Sequence, residues 1–423
     1  MVIRSPSATF TSSAPRTLPP GDEDRRTDRL ILAAAQQISR QGFAGASARS
    51  VATAAGASPS AINYNFGNIE RLLLLAFDYG VHQTAERLET WEREISALPP
   101  TADGAARALD HVLTAWTRDD RPLALLYQEA LAAGAGQGPA AAWTRLWRDF
   151  WLRAAAMFGL DEIQGRLMHV FFESEALFHL STWSPALERA AFGEMTDYFA
   201  ATWLGAPRRT DGGAFALAEK TAGARPHGSV PPAAMRIAEA AAEVVEAQGL
   251  GGLTHRAVAT RAGVTTGAVT HHFRSIEDLV AGAIRGQVAA LQEDALIVDG
   301  APPSLDELET AERLFEATRF HVVADQRVSP MLRRRRLFLA AVRRADMAGA
   351  GAVIRFSLGG TVRDALSRVF QIPIEALALP SGMLSRLLSA VWFACAADDD
   401  PRDSREVLVD AIQGRFVKGL VKR

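Results

Sequence analysis

The chain has 423 residues, of which 48% are hydrophobic and 22% charged, and its formal net charge is −2. This composition excludes a disordered chain and is typical of a globular protein, and the mild charge does not point to a nucleic-acid binder. A single cysteine excludes a disulfide framework and predicts a cytoplasmic protein, and the sequence contains no uncharged apolar run of about 18 residues that would predict a membrane span.

Residues 1–24 are rich in Ser, Thr and Pro and lack apolar periodicity, which predicts a disordered tail. From Thr27, apolar residues recur at three- and four-residue spacing until Gly42, and this pattern predicts a first helix. Similar Leu- and Ala-rich patterns fill the rest of the chain, and no segment alternates as a strand would. The fold class predicted is therefore all-α.

A tight turn follows the first helix. Ser47 is a predicted cap for a short second helix over 48–54, and Gly56 supplies a left-handed turn. Ser58 then caps a third helix and Asn68 a fourth. Two short helices joined by a glycine turn and braced by a longer helix are typical of a helix-turn-helix.

The same pattern occurs twice. Residues 29–73 match 236–280 without a gap, at an offset of 207 residues, with 18 identities over 45 aligned positions. The turn glycine recurs as Gly263, and the caps recur as Thr254, Thr265 and Ser275. Such a match predicts two copies of one module in tandem.

The repeat divides the chain into six predicted segments. They are the tail (1–24), a first helix-turn-helix domain (25–73), a first helical domain (74–204), a linker (205–232), a second helix-turn-helix domain (233–280) and a second helical domain (281–423). The linker contains five Gly and four Pro and is predicted to be partly flexible and partly extended. Phe215 and Leu217 are its large apolar exceptions.

The two repeated motifs read RSVATAAGASPSAINYNF at 49–66 and RAVATRAGVTTGAVTHHF at 256–273. With these residues, both halves resemble the TetR (tetracycline-repressor-like) family of bacterial transcription regulators. The resemblance is strong in the helix-turn-helix segments and lies mainly in length and helical composition elsewhere. It implies three DNA-binding helices in each half, followed by about six helices for dimerisation and ligand binding.

By this resemblance, the third helix of each copy enters the major groove of double-stranded DNA. The residues predicted to contact DNA are Arg49, Ser58, Pro59, Ser60, Asn63, Tyr64 and Asn65 in the first copy, and Arg256, Thr265, Thr266, Gly267, Thr270, His271 and His272 in the second. Asn side chains can read adenine, and a helix N-terminus favours phosphate. Because these residues differ between the copies, the two helices are expected to prefer different half-sites.

Both copies also depart from the family pattern. The family usually has a Lys before the Glu that opens the fourth helix, and here Ile69 and Ile276 take that place. Residues 24–73 contain six arginines and three acids, whereas 235–285 contain five of each. We therefore expect modest affinity for the DNA backbone with a shallow salt dependence, and a weaker second copy.

Seven of the eight tryptophans precede residue 204, and three of them share one helical face. An apolar or aromatic small-molecule effector is predicted to bind there, while ordinary core packing or a helix interface is the alternative. The predicted ligand-binding residues are Trp116, Trp143, Trp147, Trp151 and Phe172.

Arg333 to Arg336, with Arg343 and Arg344, form a basic run in the second half. An anionic ligand, DNA outside the core motif, or a solvated face partly paired with acids would each explain this run. The histidines are too scattered to predict a metal site. No nucleophile elbow, phosphate-cradling glycine loop or close carboxylate pair occurs, so neither an enzyme nor a cofactor is predicted.

The last two helices of each half are predicted near 162–180 with 185–204, and 381–397 with 402–421. By resemblance they form a four-helix dimer interface, either between the halves of one chain as a pseudo-dimer or in a homodimer. The function predicted is a ligand-responsive transcription regulator, a repressor, reading an asymmetric operator. The alternative is a regulator or sensor in which one helix-turn-helix binds DNA and the second half serves dimerisation or effector sensing.

Overall fold

The computed structural model describes residues 22–223, 231–280, 282–283, 310–323, 328–345, 348–356 and 358–421. The regular secondary structure in these ranges is helical throughout, which confirms the all-α prediction. Helix α1 begins at Asp22, inside the predicted tail, and residues 1–21 of that tail lie outside the described residues.

The helices of the first half are α1 (Asp22–Gln41), α2 (Ala48–Ala54), α3 (Pro59–Phe66), α4 (Ile69–Ile95), α5 (Ala102–Thr114), α6 (Arg121–Gly134), α7 (Gly138–Met157), α8 (Glu162–Phe178) and α9 (Pro185–Phe199). Helix α10 (Gly213–Thr221) precedes the second half. The helices of the second half are α11 (Pro232–Gly252), α12 (His255–Ala262), α13 (Thr266–His272), α14 (Ala311–Val323), α15 (Val328–Val342), α16 (Ala348–Phe356), α17 (Gly360–Phe370), α18 (Ala378–Cys395) and α19 (Pro401–Val421).

Each helix-turn-helix bends at one glycine. Gly56 has a φ of +64° and Gly263 a φ of +66°, both in the left-handed region that disfavours other residues. The predicted caps Ser47, Asn68, Thr254, Thr265 and Ser275 each accept a hydrogen bond from the backbone N–H three residues on. These capping residues therefore begin the helices at the positions that the sequence predicts.

We expect Gly56→Ala to lower the free energy of unfolding by about 1–2 kcal/mol, because alanine is strained in the left-handed region. No atom lies within 4 Å of a Cβ added at Gly56, so the loss comes from backbone strain alone. The control is Gly414→Ala in α19, where an added Cβ also meets open space. That substitution is expected to raise stability by about 0.5–1 kcal/mol in urea unfolding. Shifts of the same sign in both variants would contradict this account.

Helices α4, α7 and α8 form the centre of the first helical domain. Gly80 of α4 allows the Trp143 ring of α7 to approach closely, since a Cβ at Gly80 would lie 2.4 Å from that ring. The Trp143 Nε1–H donates to Thr84 Oγ1 at 3.0 Å, so the buried indole is satisfied. Close contact and hydrogen bonding together set the register of α4 against α7.

Helices α8 and α9 of the first half pack against α18 and α19 of the second. Glu175 of α8 and Arg386 of α18 are both fully buried, and their side chains meet at 3.3 Å. At the end of α18, Asp398 pairs with Arg148 at 2.8 Å. On the α19 side, the Trp203 Nε1–H donates to the Ile412 carbonyl at 3.1 Å. The two halves are therefore joined by buried polar contacts as well as by apolar packing.

The predicted linker differs from the expectation of an extended segment, because α10 lies within it. Its N-terminus is capped by Glu194 of α9, whose carboxylate accepts from the Ala214 and Phe215 N–H groups. The Phe215 ring is fully buried and packs against Gly382 of α18. Residues 224–230 of the linker lie outside the described residues. The Glu194 cap and the buried Phe215 ring together hold this helix against α9 and α18.

Among the described residues, Ile374–Cys395 is the one stretch long and apolar enough to cross a membrane by length and composition. Most of this window, 78%, is buried inside the protein. Helix α18 packs on α8 and on neighbouring helices of the second half, and this central position accounts for its apolar character.

Candidate DNA-reading surface and interior polar network

The third helix of each copy, α3 or α13, is here called a reading helix. On α3 the residues Ser58, Pro59, Ser60, Asn63 and Tyr64 are exposed, and Tyr64 is 81% exposed. The opposite face is buried through Ile62 and Phe66. Exposure is what a role in DNA contact requires, and that role remains a prediction.

Asn65 differs from its neighbours on α3. It is half-buried, and its Nδ2–H donates to the Ala61 carbonyl of the same helix at 2.6 Å. This bond uses one of the two amide hydrogens and leaves the other hydrogen and Oδ1 for contact with a base. The Ser58 hydroxyl also departs from expectation, because it contacts the Ser60 hydroxyl at 2.8 Å and makes no capping bond.

On α13, the predicted DNA contacts Thr265, Thr266, Gly267, Thr270, His271 and His272 are all exposed, as is Arg256 on α12. Val269 and Phe273 form the buried face. Helix α13 has seven residues and α3 has eight, and the Thr265 side chain caps α13. The reading helices thus differ in their caps as well as in their exposed side chains.

The position where the family usually has lysine is occupied by core-contacting side chains. Ile69 and Ile276 are half-buried and pack against the apolar cores of their own copies. In the second copy, the exposed Arg261 pairs with Glu243 of α11. This pair reduces the positive charge beside α13, in line with the balanced charge of the second copy.

The predicted ligand-binding residues form one packed aromatic cluster, which is fully buried. The Trp147 ring centroid lies 3.9 Å from that of Phe172 and 5.1 Å from that of Trp116. The ring centroids of Trp151 and Phe172 lie 5.7 Å apart. The rings fill the space between α7, α8 and the segment 115–119 that follows α5, so a ligand would have to separate them.

Three indole N–H groups of this cluster, those of Trp116, Trp147 and Trp151, are buried without a hydrogen-bond acceptor in the described part of the chain. A buried donor left unsatisfied costs about 1–3 kcal/mol. A ligand that carries acceptor atoms would satisfy these donors. The role in ligand binding stays a prediction with this physical support.

Arg335 in the basic run of α15 is buried, which differs from the solvated face that is one of the three interpretations of this run. Arg335 is 3% exposed, donates to the Gln128 side chain of α6, and lies over the Phe393 ring at 3.7 Å. Arg336 donates to the Ala132 carbonyl at 2.9 Å. Arg335 and Arg336 of this run therefore contact the first half, with partners that the local sequence does not indicate.

Arg343, just beyond α15, links the second half to the first helix-turn-helix. Its Nη1 pairs with Glu129 at 2.7 Å, and its Nε–H donates to the Ser39 carbonyl at the end of α1 at 3.0 Å. Glu129 in turn accepts from the Phe43 N–H at 2.9 Å. The second half thus contacts the first helix-turn-helix domain directly, at the C-terminal end of α1; each helix-turn-helix domain is called a reading head below.

A buried ionic network lies between α8, α16 and α18. Burial alone would raise the pKa of Glu175, but Arg386, His179 and Arg355 outweigh it and lower the pKa to about 2. Burial, together with the charge of Arg355, lowers the pKa of His179 to about 3. The neutral His179 Nε2 accepts from Arg355 Nη2 at 3.0 Å. Glu188 of α9 lies 3.6 Å from Arg355 and adds a second acid.

His179 makes stability depend on pH. Unfolded histidine binds a proton below a pH of about 6.5, whereas folded His179 binds one only near 3. Stability is therefore expected to fall as pH drops from 6.5, by up to about 1.4 kcal/mol per unit, with Glu175 adding its own loss below about 4.5. Urea unfolding at pH 6.5 and 5 should show a flatter dependence for His179→Gln. Exposed His82→Gln is the control, and equal slopes in both variants would contradict the assignment.

The lone thiol of Cys395 is buried, and burial raises its pKa to about 12. Such a thiol is protonated and unreactive at neutral pH, as a structural residue would be. Within the described ranges, no group of three His, Cys, Asp or Glu side chains lies close enough to hold a metal ion.

Two exposed reading helices on an all-α chain define a protein with two helix-turn-helix domains. The family model described as bacterial regulatory proteins, tetR family, matches residues 30–76 and again 237–283. The chain therefore carries two copies, in tandem, of the helix-turn-helix domain that this family model describes.

No curated protein matches the chain. One similar solved structure is the multidrug binding protein EbrR in complex with malachite green. Its identity is 26%, and the match covers 43% of this chain and 98% of that one, with a TM-score of 0.25.

Proposed function

We propose that this protein is a ligand-responsive repressor whose two reading heads bind one asymmetric operator. The observation that carries the proposal is the pair of exposed, non-identical reading helices on two copies of one DNA-binding module. A symmetric helix-turn-helix dimer reads a palindrome because its heads are identical. Heads that present Tyr64 on one side and His271 on the other suit two different half-sites.

The proposed unit is an intramolecular pseudo-dimer, with the domain boundaries that the repeat predicts, except that α1 begins at Asp22 and α10 lies within the linker. Support comes from the packing of α8 and α9 against α18 and α19, which carries the buried pair Glu175–Arg386. A free chain would then have a mass near 45.5 kDa in solution. Twice that mass would mean four reading heads in each complex.

The proposed effector is an apolar or aromatic small molecule with acceptor atoms, bound at the cluster around Trp147. Separating these rings would move α7 and α8, and α8 carries much of the contact with the second half. Arg343 connects the second half to the first reading head, because it donates to the Ser39 carbonyl at the end of α1. A small rotation of one head against the other weakens DNA binding, because both must fit the same face of the duplex.

The alternative is a regulator in which only the first head binds DNA. It is favoured by the pairing of Arg261 with Glu243 and by the balanced charge of the second copy. In that case the second half serves pairing and effector sensing.

Footprinting on the DNA that flanks the gene distinguishes the proposal of two DNA-binding heads from the alternative of one. We expect protection on two successive helical turns, and about tenfold to hundredfold weaker binding for either Tyr64→Ala or His271→Ala, since a good base contact contributes about 1–3 kcal/mol. The control is Arg402→Ala, an exposed residue far along the chain on α19. Unchanged protection with His271→Ala would refute two working heads and leave the one-head alternative.

A further inference from the structure

We propose that the face joining the two halves is charged so that each half accepts only the other half and excludes a second copy of itself. The proposal rests on the proposed pairing of the halves, and it names the partner that this surface selects. It follows from where charges of opposite sign are buried along α6, α8, α15 and α18.

The centre of the face lies where α6 meets α15. These helices begin at Arg121 and Val328, 207 residues apart, which is the offset of the sequence repeat. At that offset Gln128 corresponds to Arg335, and these two side chains are hydrogen-bonded to each other. Residues at equivalent positions meet only near the axis that relates the two copies.

A side chain on such an axis faces its own copy in a symmetric pair. Two second halves would therefore place one buried Arg335 against another, without the Gln128 acceptor. Like charges in a desolvated contact repel strongly, and Arg335 is 3% exposed. The central contact thus disfavours a pair of second halves.

The neighbouring contact is arranged in the same way, with the arginine in the second half and its partner in the first. Arg343 pairs with Glu129, and at the 207-residue offset Glu129 corresponds to Arg336. A pair of second halves would bring Arg343 to Arg336 in place of a carboxylate. The acid at this position is present in the first half alone.

Pairing of two first halves is disfavoured as well, because of a buried charge on α8. Glu175 is fully buried, and its charge is balanced by Arg386 and Arg355 of the second half. Two first halves would bury two Glu175 carboxylates and supply neither arginine. Asp398 shows the reverse arrangement, since its partners Arg148 and Arg166 both belong to the first half. Self-pairing of either half would leave buried charges uncompensated.

Native mass spectrometry of a cleavable full chain tests whether each half pairs only with the other half. A protease site is inserted at 206–211, in the exposed segment between α9 and α10, and the purified protein is cut. Isotope-labelled and unlabelled samples are then mixed and incubated. We expect 1:1 pairs of a first and a second half, with pairs of identical halves below about a tenth of the total. Identical pairs above that level, or separation into single halves, would overturn the proposal.

A matched variant tests charge as the cause. Arg335→Gln combined with Arg336→Glu installs in the second half the residue types found at Gln128 and Glu129. We expect pairs of second halves to increase about tenfold or more in this cut variant, which corresponds to a free-energy change of about 1.4 kcal/mol. No increase would overturn the proposal.

The mass of the uncut chain separates this inference from the proposed function. A 1:1 composition after cutting supports charge-selected pairing whether the uncut mass is 45.5 kDa or twice that. The doubled mass would contradict only the intramolecular pseudo-dimer, with the same halves then pairing between chains.

Discussion

Replacing Arg386 by methionine is expected to lower the free energy of unfolding by about 3–5 kcal/mol. Methionine fills similar space but leaves the fully buried Glu175 carboxylate without its 3.3 Å partner. The substitution also removes the donor to the Arg355 carbonyl and the cation over the Phe178 ring. Urea unfolding at pH 7, extrapolated to water, measures the change.

The double variant Arg386→Met with Glu175→Leu separates the charge from the packing. Replacing a whole buried ion pair by apolar residues is often nearly neutral, so we expect most of the loss to be recovered. Arg402→Met is the surface control. Arg402 is 77% exposed and pairs with Glu406 on the same helix, so we expect a change below about 0.5 kcal/mol. A loss below about 1 kcal/mol for Arg386→Met would contradict the role of this pair.

The second large effect is expected in the segment between the halves. Phe215→Ala should lower the free energy of unfolding by about 3–5 kcal/mol, because it empties the space that the ring fills against Gly382 and Phe356. Detachment of α10 would also release Glu219, whose carboxylate pairs with Arg363 of α17. Thermal and urea unfolding both report the change.

Leu217→Ala is the matched control on the same helix. Leu217 is 53% exposed, so its truncation should change stability by less than about 0.5 kcal/mol. Equal losses for the two variants would mean that α10 contributes through its helical conformation, and that Phe215 has no special role.

The helix-turn-helix domains could be predicted closely because their signals are local. A glycine at the turn, a hydroxyl or amide before each helix and apolar residues at helical spacing act within a few residues. Helix α2 has the predicted bounds, and the left-handed φ falls at Gly56 and Gly263 as expected. The N-terminus of α3 was less predictable, because the Ser58 hydroxyl is hydrogen-bonded to the Ser60 hydroxyl and does not cap the helix.

The basic run shows why the rest could not be predicted. Nothing near Arg335 in sequence indicates Gln128, and nothing near Arg343 indicates Glu129 or Ser39. Arginine on a helix is usually solvated, so the sequence favours exposure. The Arg335 and Arg343 side chains instead contact partners that lie 207 to 304 positions away along the chain.

The sequence by itself determined that this chain is all-α and carries two TetR-like modules with unlike reading helices. Those properties depend on periodicity, caps and turns, which act over short distances along the chain. Only the tertiary structure decided that α10 is ordered by Phe215, and that arginines of α15 and α18 are buried against acceptors of the first half. The arginine contacts join residues more than two hundred positions apart, and their stability depends on burial, which no local pattern specifies.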